Sequence, residues 1–466
     1  MKYFAILKDS FREALDSKVL YLMFSLSTIV ILIVATLSFK PMSAQKTMEL
    51  FFPDQKLGGL SLMFLALNNQ ELRRVEIDPN DMKAQREVDG DDVRARMAIL
   101  FSYRLEKVEL LNGEADSPES DYVLTIADSF GWFGKDDQKE ALAKGAANVR
   151  TIFQRAEELG FLKIGAITGE VEARDEGIAL PPRTRYRVTL HGNARTFRIW
   201  GNEPSLGFGA VPLTVVPPSP LAYQLYVLSR LTLLFGAWVA VIVGVVITSF
   251  FVPNMLAKGT IDLLLVKPIH RWVLLSYKYV GGLTFIFLNT AYAVVGLWLV
   301  IGLRSGLWPN GSLLLIVTIT FFFGILYAIS MLVGVITRSN IAAIIVTIGA
   351  WFVFFLIGMG HDKISTVTAA EAQKQKRGQA IPPGEGWSDS RTAVSTRTMH
   401  AITPRTEDLN HLNDLILYCD FLTGNIADMG KFDIGDSNWL ESLLIAAVWI
   451  VVFLGASCFW FTVTDY

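Results

Sequence analysis

The sequence predicts an α-helical membrane bundle of six transmembrane helices with an inserted α+β extracytoplasmic domain. Three observations carry this. The 466 residues are 52% hydrophobic and only 18% charged, against roughly 25% charged in soluble domains, and the mean hydropathy is +0.40. The apolar residues are gathered into six blocks, each long enough for the roughly 20 residues a bilayer crossing needs. Between the first and second blocks lies a long stretch, residues 40–220, in which short alternating runs replace the apolar blocks. The net charge of −2 gives no electrostatic footprint for a nucleic-acid partner.

Residues 1–18 come first. Phe4, Leu7, Phe11 and Leu15 recur at helical spacing, with Lys8, Asp9, Arg12, Glu13 and Asp16 largely off that stripe. Such an amphipathic helix is suited to lie in the membrane interface. Residues 19–39 are the first span. The run is too long for the apolar core of a cleaved signal, so it reads as an uncleaved anchor. In 40–220, the runs 122–126, 185–190 and 196–200 read as strands and 135–159 as a helix. The proline-rich 211–220 reads as a stiff connector back to the membrane.

The remaining spans are 221–251, 272–303, 312–337, 341–360 and 440–463. Arg338, Ser339 and Asn340 alone separate the fourth from the fifth, which predicts a tight helical hairpin. Lys2, Lys8, Arg12 and Lys18, the cationic loop 252–271 and Arg338 all fall on one side if the N-terminus is cytoplasmic. The C-terminal tail, Thr464-Asp465-Tyr466, then returns to the cytoplasm. Residues 40–220 and 361–439 lie outside, the latter a loop with short helices around 409–422 after a polar, breaker-rich stretch at 373–397. The expected location is the cytoplasmic (inner) membrane, multi-pass, surrounded by the lipid bilayer.

Enzymatic motifs are missing. The chain has no G-x-x-x-x-G-K-[ST] phosphate loop. Its five histidines (191, 270, 361, 400 and 411) show no metal spacing, and there is no H-E-x-x-H. Ser61 lacks the G-x-S-x-G setting of a nucleophile elbow. No catalytic, cofactor-binding or metal residue is therefore expected. Cys419 and Cys458, the only cysteines, read as apolar side chains rather than a disulfide. Two polar residues within apolar runs are candidate substrate or lipid contacts: Arg230, alternatively a snorkelling interfacial cation, and Asn289, alternatively an interhelical hydrogen-bonding residue.

The segment from Ser249 to Trp272 interrupts two apolar runs. Pro253 breaks the preceding span or starts a new helix, Asn254 to Val266 can form a short amphipathic helix, and Pro268 stops it. Gly259 permits close approach of another backbone. Physics alone leaves two readings: a helix that passes force to a cytoplasmic partner, or an interfacial loop that only satisfies the charge rule for topology.

Here the residues resemble a known family. Lys258-Gly-Thr-Ile-Asp-Leu-Leu-Leu-Val-Lys-Pro-Ile-His-Arg271, followed by Lys278-Tyr279, is similar to the cytoplasmic loop of type-2 ABC transporter permeases. The amphipathic start, the six spans, the tight hairpin at 337–340 and Ile402-Thr-Pro-Arg-Thr-Glu-Asp-Leu409 fit the same family. The subgroup it resembles is that associated with copper-enzyme maturation. Pro253 to Lys258 lack the acidic residues common before the Gly-Thr pair, and residues 40–220 are not covered by the resemblance.

The resemblance implies a homodimeric permease paired with a separate cytoplasmic ABC ATPase subunit. ATP would be bound on that partner and no cofactor on this chain. Residues 1–18 would be the elbow helix, and Asn254, Lys258, Gly259, Thr260, Asp262, Leu264, Lys267, Pro268 and Arg271 would couple to the ATPase. Such a machine exports a substrate or moves the outer domain. The alternative is a membrane-anchored structural or sensor protein whose 40–220 domain binds an extracytoplasmic partner. A secondary transporter fits less well, because the predicted spans carry no acidic relay.

Overall fold

The computed structural model describes residues 18–52, 102–128, 138–172, 183–213, 219–250, 253, 270–376, 390–424 and 439–464. The chain divides into two compact units, one built from residues 1–35, 228–420 and 424–466 and the other from 36–227 and 421–423.

The first unit is helical, as long apolar runs must be when no solvent is present to satisfy the backbone. Its helices are α1 (Lys18–Ala35), α4 (Leu221–Ser249, which begins in the other unit), α5 (Arg271–Ser305), α6 (Leu315–Thr337), α7 (Asn340–Lys376), α8 (Arg391–Ile402), α9 (Thr406–Tyr418) and α10 (Trp439–Val463). Among the described residues, four stretches are long and apolar enough to cross a membrane: Arg271–Ser305, Asn310–Thr337, Asn340–Ser365 and Leu440–Val463. The apolar stretch of α1, Tyr21–Ala35, is shorter.

α6 is the central helix. Its apolar stretch is 61% buried, against 22%, 22% and 17% in α5, α7 and α10. The cause is contact on several sides, since α5, α7, α9 and α10 all pack on it. Phe323, Ile325, Leu326, Tyr327 and Val335 of α6 lie in one core with Leu275, Tyr279 and Phe285 of α5 and Phe461 of α10. Between α5 and α6 the Tyr279 and Tyr327 rings stack with centroids 5.2 Å apart. The Tyr279 hydroxyl donates to the Gly324 carbonyl at 2.8 Å. Gly282 makes this approach possible, because a Cβ there would lie 2.6 Å from the Tyr327 ring.

The predicted hairpin at 338–340 forms. Arg338 closes α6 in the left-handed conformation, φ 56°, and its amide donates to the Gly334 carbonyl. The fifth apolar helix differs from expectation in length. It runs past residue 360 to Lys376, and its membrane-compatible stretch reaches Ser365. Polarity ends the apolar run, yet the following Ala, Glu, Gln and Lys residues are good helix formers and the backbone continues through them. His361 and Asp362 therefore ride on a helix rather than in a loop.

The second unit has an α+β core. Strands β2 (Tyr103–Asn112), β3 (Asp121–Asp128), β5 (Arg183–Gly192) and β4 (Leu162–Glu172) form an antiparallel sheet in that spatial order. One helix, α3 (Gln138–Glu158), packs on β4. Alternation along β3 buries Tyr122, Leu124 and Ile126 against Val149 and Phe153 of α3 and Val188 and Leu190 of β5. A smaller sheet joins β1 (Ser38–Pro41) to β6 (Gly201–Leu206), which also pairs with β7 (Val211–Pro212) and β8 (Ser219–Pro220). A short helix, α2 (Ala44–Glu49), is capped by Ser43.

Residues 196–200, expected as a strand, instead hold a 3-10 turn, Thr196–Arg198. Local side chains supply the hydrogen bonds a strand partner would have given. Asn193 Oδ1 accepts from the Arg195 amide at 2.7 Å, and Thr196 Oγ1 accepts from the Asn193 amide at 2.8 Å.

Candidate functional site

The elbow, residues 1–17, lies outside the described residues, and so do Asn254, Lys258, Gly259, Thr260, Asp262, Leu264, Lys267 and Pro268 of the coupling segment. Its last member is described. Arg271 opens α5 behind His270, an extended residue at the N-cap position. Its Nη1 donates to the carbonyls of Thr464 at 3.1 Å and Phe461 at 3.5 Å. A cation there satisfies carbonyls at the end of α10 and opposes the negative end of that helix.

Asn289 is buried on α5 and its Oδ1 accepts from Ser27 Oγ of α1 at 3.4 Å. Next to it, Thr28 Oγ1 and Tyr292 Oη lie 2.9 Å apart. Arg230 pairs with Asp414 of α9, Nη2 to Oδ2, at 2.8 Å. The two predicted contact residues thus serve different helix pairs, α1–α5 and α4–α9.

Asp414 leads to a group of side chains that sequence reading passed over. α9 places Glu407, His411 and Asp414 at i, i+4 and i+7, on one stripe. Leu409, Leu412 and Ile416 on the same helix are buried. Glu407 and Asp408 sit in its first turn, where the helix dipole favours negative charge. Pro404 separates α9 from α8, which is capped at its start by Ser390 and held at its end by Trp449 Nε1, donating to the Ile402 carbonyl at 2.6 Å.

One half of the group is buried. His400 Nε2 of α8 lies 3.2 Å from Asp408 Oδ1, and Ser442 Oγ of α10 donates to Asp408 Oδ2. Arg405 donates from Nη2 to Glu441 at 2.9 Å and from Nε to the His400 carbonyl at 3.3 Å. Burial alone would raise the Asp408 carboxyl. Hydrogen bonds from His400 and Ser442, with the charges of His400 and Arg405, outweigh it and hold the group below the usual carboxylate range.

The other half is more open. His411 Nε2 lies 2.8 Å from Asp362 Oδ2 of α7, and that hydrogen bond raises the imidazole against the opposing effect of burial. Glu407 is pushed up by burial, with Asn410 donating to its Oε2 at 3.1 Å. Asp414 is also raised by burial, against the pull of Arg230. The His361 and His400 rings join the halves, stacked 3.8 Å apart at 7°.

This arrangement has no nucleophile activated by a base, since Ser442 and His400 both bond to Asp408 rather than to each other. It does contain a donor set. One ligand atom each from Asp362, Glu407 and His411 lie within 4.8 Å of one another. Three of the five histidines are brought together although no linear metal spacing exists. The one local signal was the i, i+4 pair Glu407 and His411. The end of the apolar run at residue 360 predicts a loop at His361 and Asp362, where the structure continues the helix.

Comparison with known proteins gives one positive result. A family model described as ABC-2 family transporter protein matches residues 4–466. No curated protein and no solved structure gives a significant match.

Proposed function

Because the chain belongs to the ABC-2 family of transporter proteins, a transmembrane component of an ABC transporter, we propose that it is the permease subunit of an ATP-driven exporter. Members of this family are generally non-catalytic and generally work with an ABC ATPase. In this reading the ATPase is a separate cytoplasmic chain, ATP is bound there, and the permease acts as a homodimer in the cytoplasmic (inner) membrane.

The observation that carries the reading is the match over residues 4–466. It includes the Lys258–Arg271 loop, in a chain that has no phosphate loop of its own. α1 and α4, apolar helices of 18 and 29 residues, supply the two spans that bring the count to six. Several features support a cytoplasmic N-terminus. The first residue of α5, the α6–α7 turn at Arg338 and the end of α10 lie at corresponding ends of their helices, and Arg271 hydrogen-bonds α5 to α10 there. Arg271 and Arg338 at that end, with the sequence cations of the 252–271 loop, fit the cytoplasmic side.

Residues 40–220 then lie outside, as does the His/carboxylate group at the opposite end of the bundle. Asn254, Lys258, Gly259, Thr260, Asp262, Leu264, Lys267 and Pro268 offer the ATPase a short helix and its flanks, while Arg271 holds the base of that segment to α10. Exposed apolar side chains such as Leu299, Val353 and Val451 suit lipid or a second copy.

Hydrolysis measured in lipid vesicles tests the reading. The purified chain alone should not hydrolyse ATP, and adding its co-expressed Walker-motif ATPase should give hydrolysis that depends on residues 254–268. Hydrolysis by the chain alone, or no effect of changing that segment, would overturn it.

A further inference from the structure

We propose that Asp362, Glu407 and His411 form a binding site for a divalent transition-metal cation, with His361 positioning Asp362 from behind. The three ligand atoms lie within 4.8 Å of one another. Tetrahedral coordination at about 2.0–2.2 Å brings ligand atoms to roughly 3.4 Å apart, so modest closure completes the set. Glu407 can supply it: its Cβ is held against α7 at Gly358, and its remaining torsions swing the carboxylate. Two carboxylates and an imidazole, with no sulfur, select a borderline or hard divalent ion such as Zn2+ or Mn2+ over a soft monovalent one. Three protein ligands leave a coordination position open.

Two independent features point to a cation. The first is charge. Arg230 is paired with Asp414 and Arg405 with Glu441. Among the described residues no Lys or Arg forms an ion pair with Asp362 or Glu407, whose polar partners are His411, His361 and Asn410. The His411 imidazole carries at most one positive charge against two partly buried carboxylates, and a divalent ion bound by its neutral form balances both. The second is an orphaned atom. His361 Nδ1 is buried with no hydrogen-bond partner and lies 3.9 Å from Asp362 Oδ1, its side chain only 16% exposed. An imidazole N–H bonded to a ligating carboxylate is a recurrent outer-shell arrangement, and His361 Nδ1 has no other hydrogen-bond partner to give up for it. Gly358 contributes by letting α7 and α9 approach closely enough for Asp362 and Glu407 to share one ion.

The test uses the full chain in lipid nanodiscs, stripped with a chelator and titrated with Zn2+ by calorimetry and with Co2+ by visible absorption. The expected result is saturable binding of one ion per chain, with Co2+ bands of a low-coordination N/O site that Zn2+ displaces. Glu407→Gln and His411→Gln should each abolish it, and His361→Phe should weaken it roughly 10–100-fold. His191→Gln, changed in the other unit, should leave it intact. Absence of saturable binding to the wild-type chain, or binding unchanged in Glu407→Gln and His411→Gln, overturns the proposal. The wild-type Co2+ spectrum decides the matter even if a variant fails to fold. No ATPase enters the experiment, so its outcome is separate from that of the exporter reading.

Discussion

Gly358 of α7 faces Glu407 of α9 with no room for a methyl group: a Cβ built on Gly358 falls 2.4 Å from Glu407 Cβ. The contact fixes the spacing of the two helices one turn before Asp362. Gly358→Ala should force them apart, and overpacking of this kind costs about 1–3 kcal/mol. Gly349→Ala on the same helix meets nothing within 4 Å and should be neutral or slightly stabilising. Thermal unfolding of the two variants in detergent checks this. Equal unfolding temperatures would mean the close approach does not constrain the bundle.

Asp408 is the centre of the buried half of the site. His400 of α8, Ser442 of α10 and nearby Arg405 face it. Asp408→Ala removes the shared acceptor from a buried polar network, a loss of about 3–5 kcal/mol, and should loosen the α8–α9–α10 contacts to proteolysis. Because the folded carboxyl is held below its unfolded value, its stabilisation is fully present above about pH 4. It is lost as pH falls through the folded value. The wild-type unfolding temperature should therefore drop on acidification below pH 4 more steeply than that of Asp408→Ala. Parallel profiles would contradict the assignment.

Between α5 and α6, the Tyr279 hydroxyl donates to the Gly324 carbonyl from within the core. Tyr279→Phe should cost about 0.5–1.5 kcal/mol, read as a lower midpoint of chemical unfolding.

In the α+β unit, Phe153 is fully buried between Phe51, Phe52 and the sheet. Phe153→Ala should cost about 3–5 kcal/mol and make this unit the first to be cleaved in limited proteolysis. Cleavage no faster than wild type would show that α3 is not anchored by this ring.

How far the sequence could be read depends on the range of the interaction. The long helices were legible because apolar runs leave the backbone one way to satisfy itself in lipid. Their ends were less so. Gly360 followed by polar residues looked like a terminus, yet α7 continues to Lys376, since helix propensity outlasts hydrophobicity. Strands β3 and β5 were visible in their alternation, while 196–200 alternated just as well and became a turn once Asn193 and Thr196 supplied side-chain partners. The polar site was nearly invisible. Its members come from positions 230, 361–362, 400–414 and 441–442, and only tertiary packing brings them together. Arg230 drew notice as a charge in an apolar run, but nothing local pointed to Asp414 as its partner.

The exporter account is tested most directly by finding what touches the Lys258–Arg271 segment in the cell. A photo-crosslinking residue placed at Leu264, with one at the exposed Leu32 of α1 as control, followed by mass spectrometry of the adducts, makes that measurement. The account predicts that Leu264 captures a protein bearing the phosphate-loop motif that this chain lacks, and that Leu32 does not. An adduct at Leu264 with a protein lacking that motif, or the same ATPase captured equally from Leu32, would contradict it.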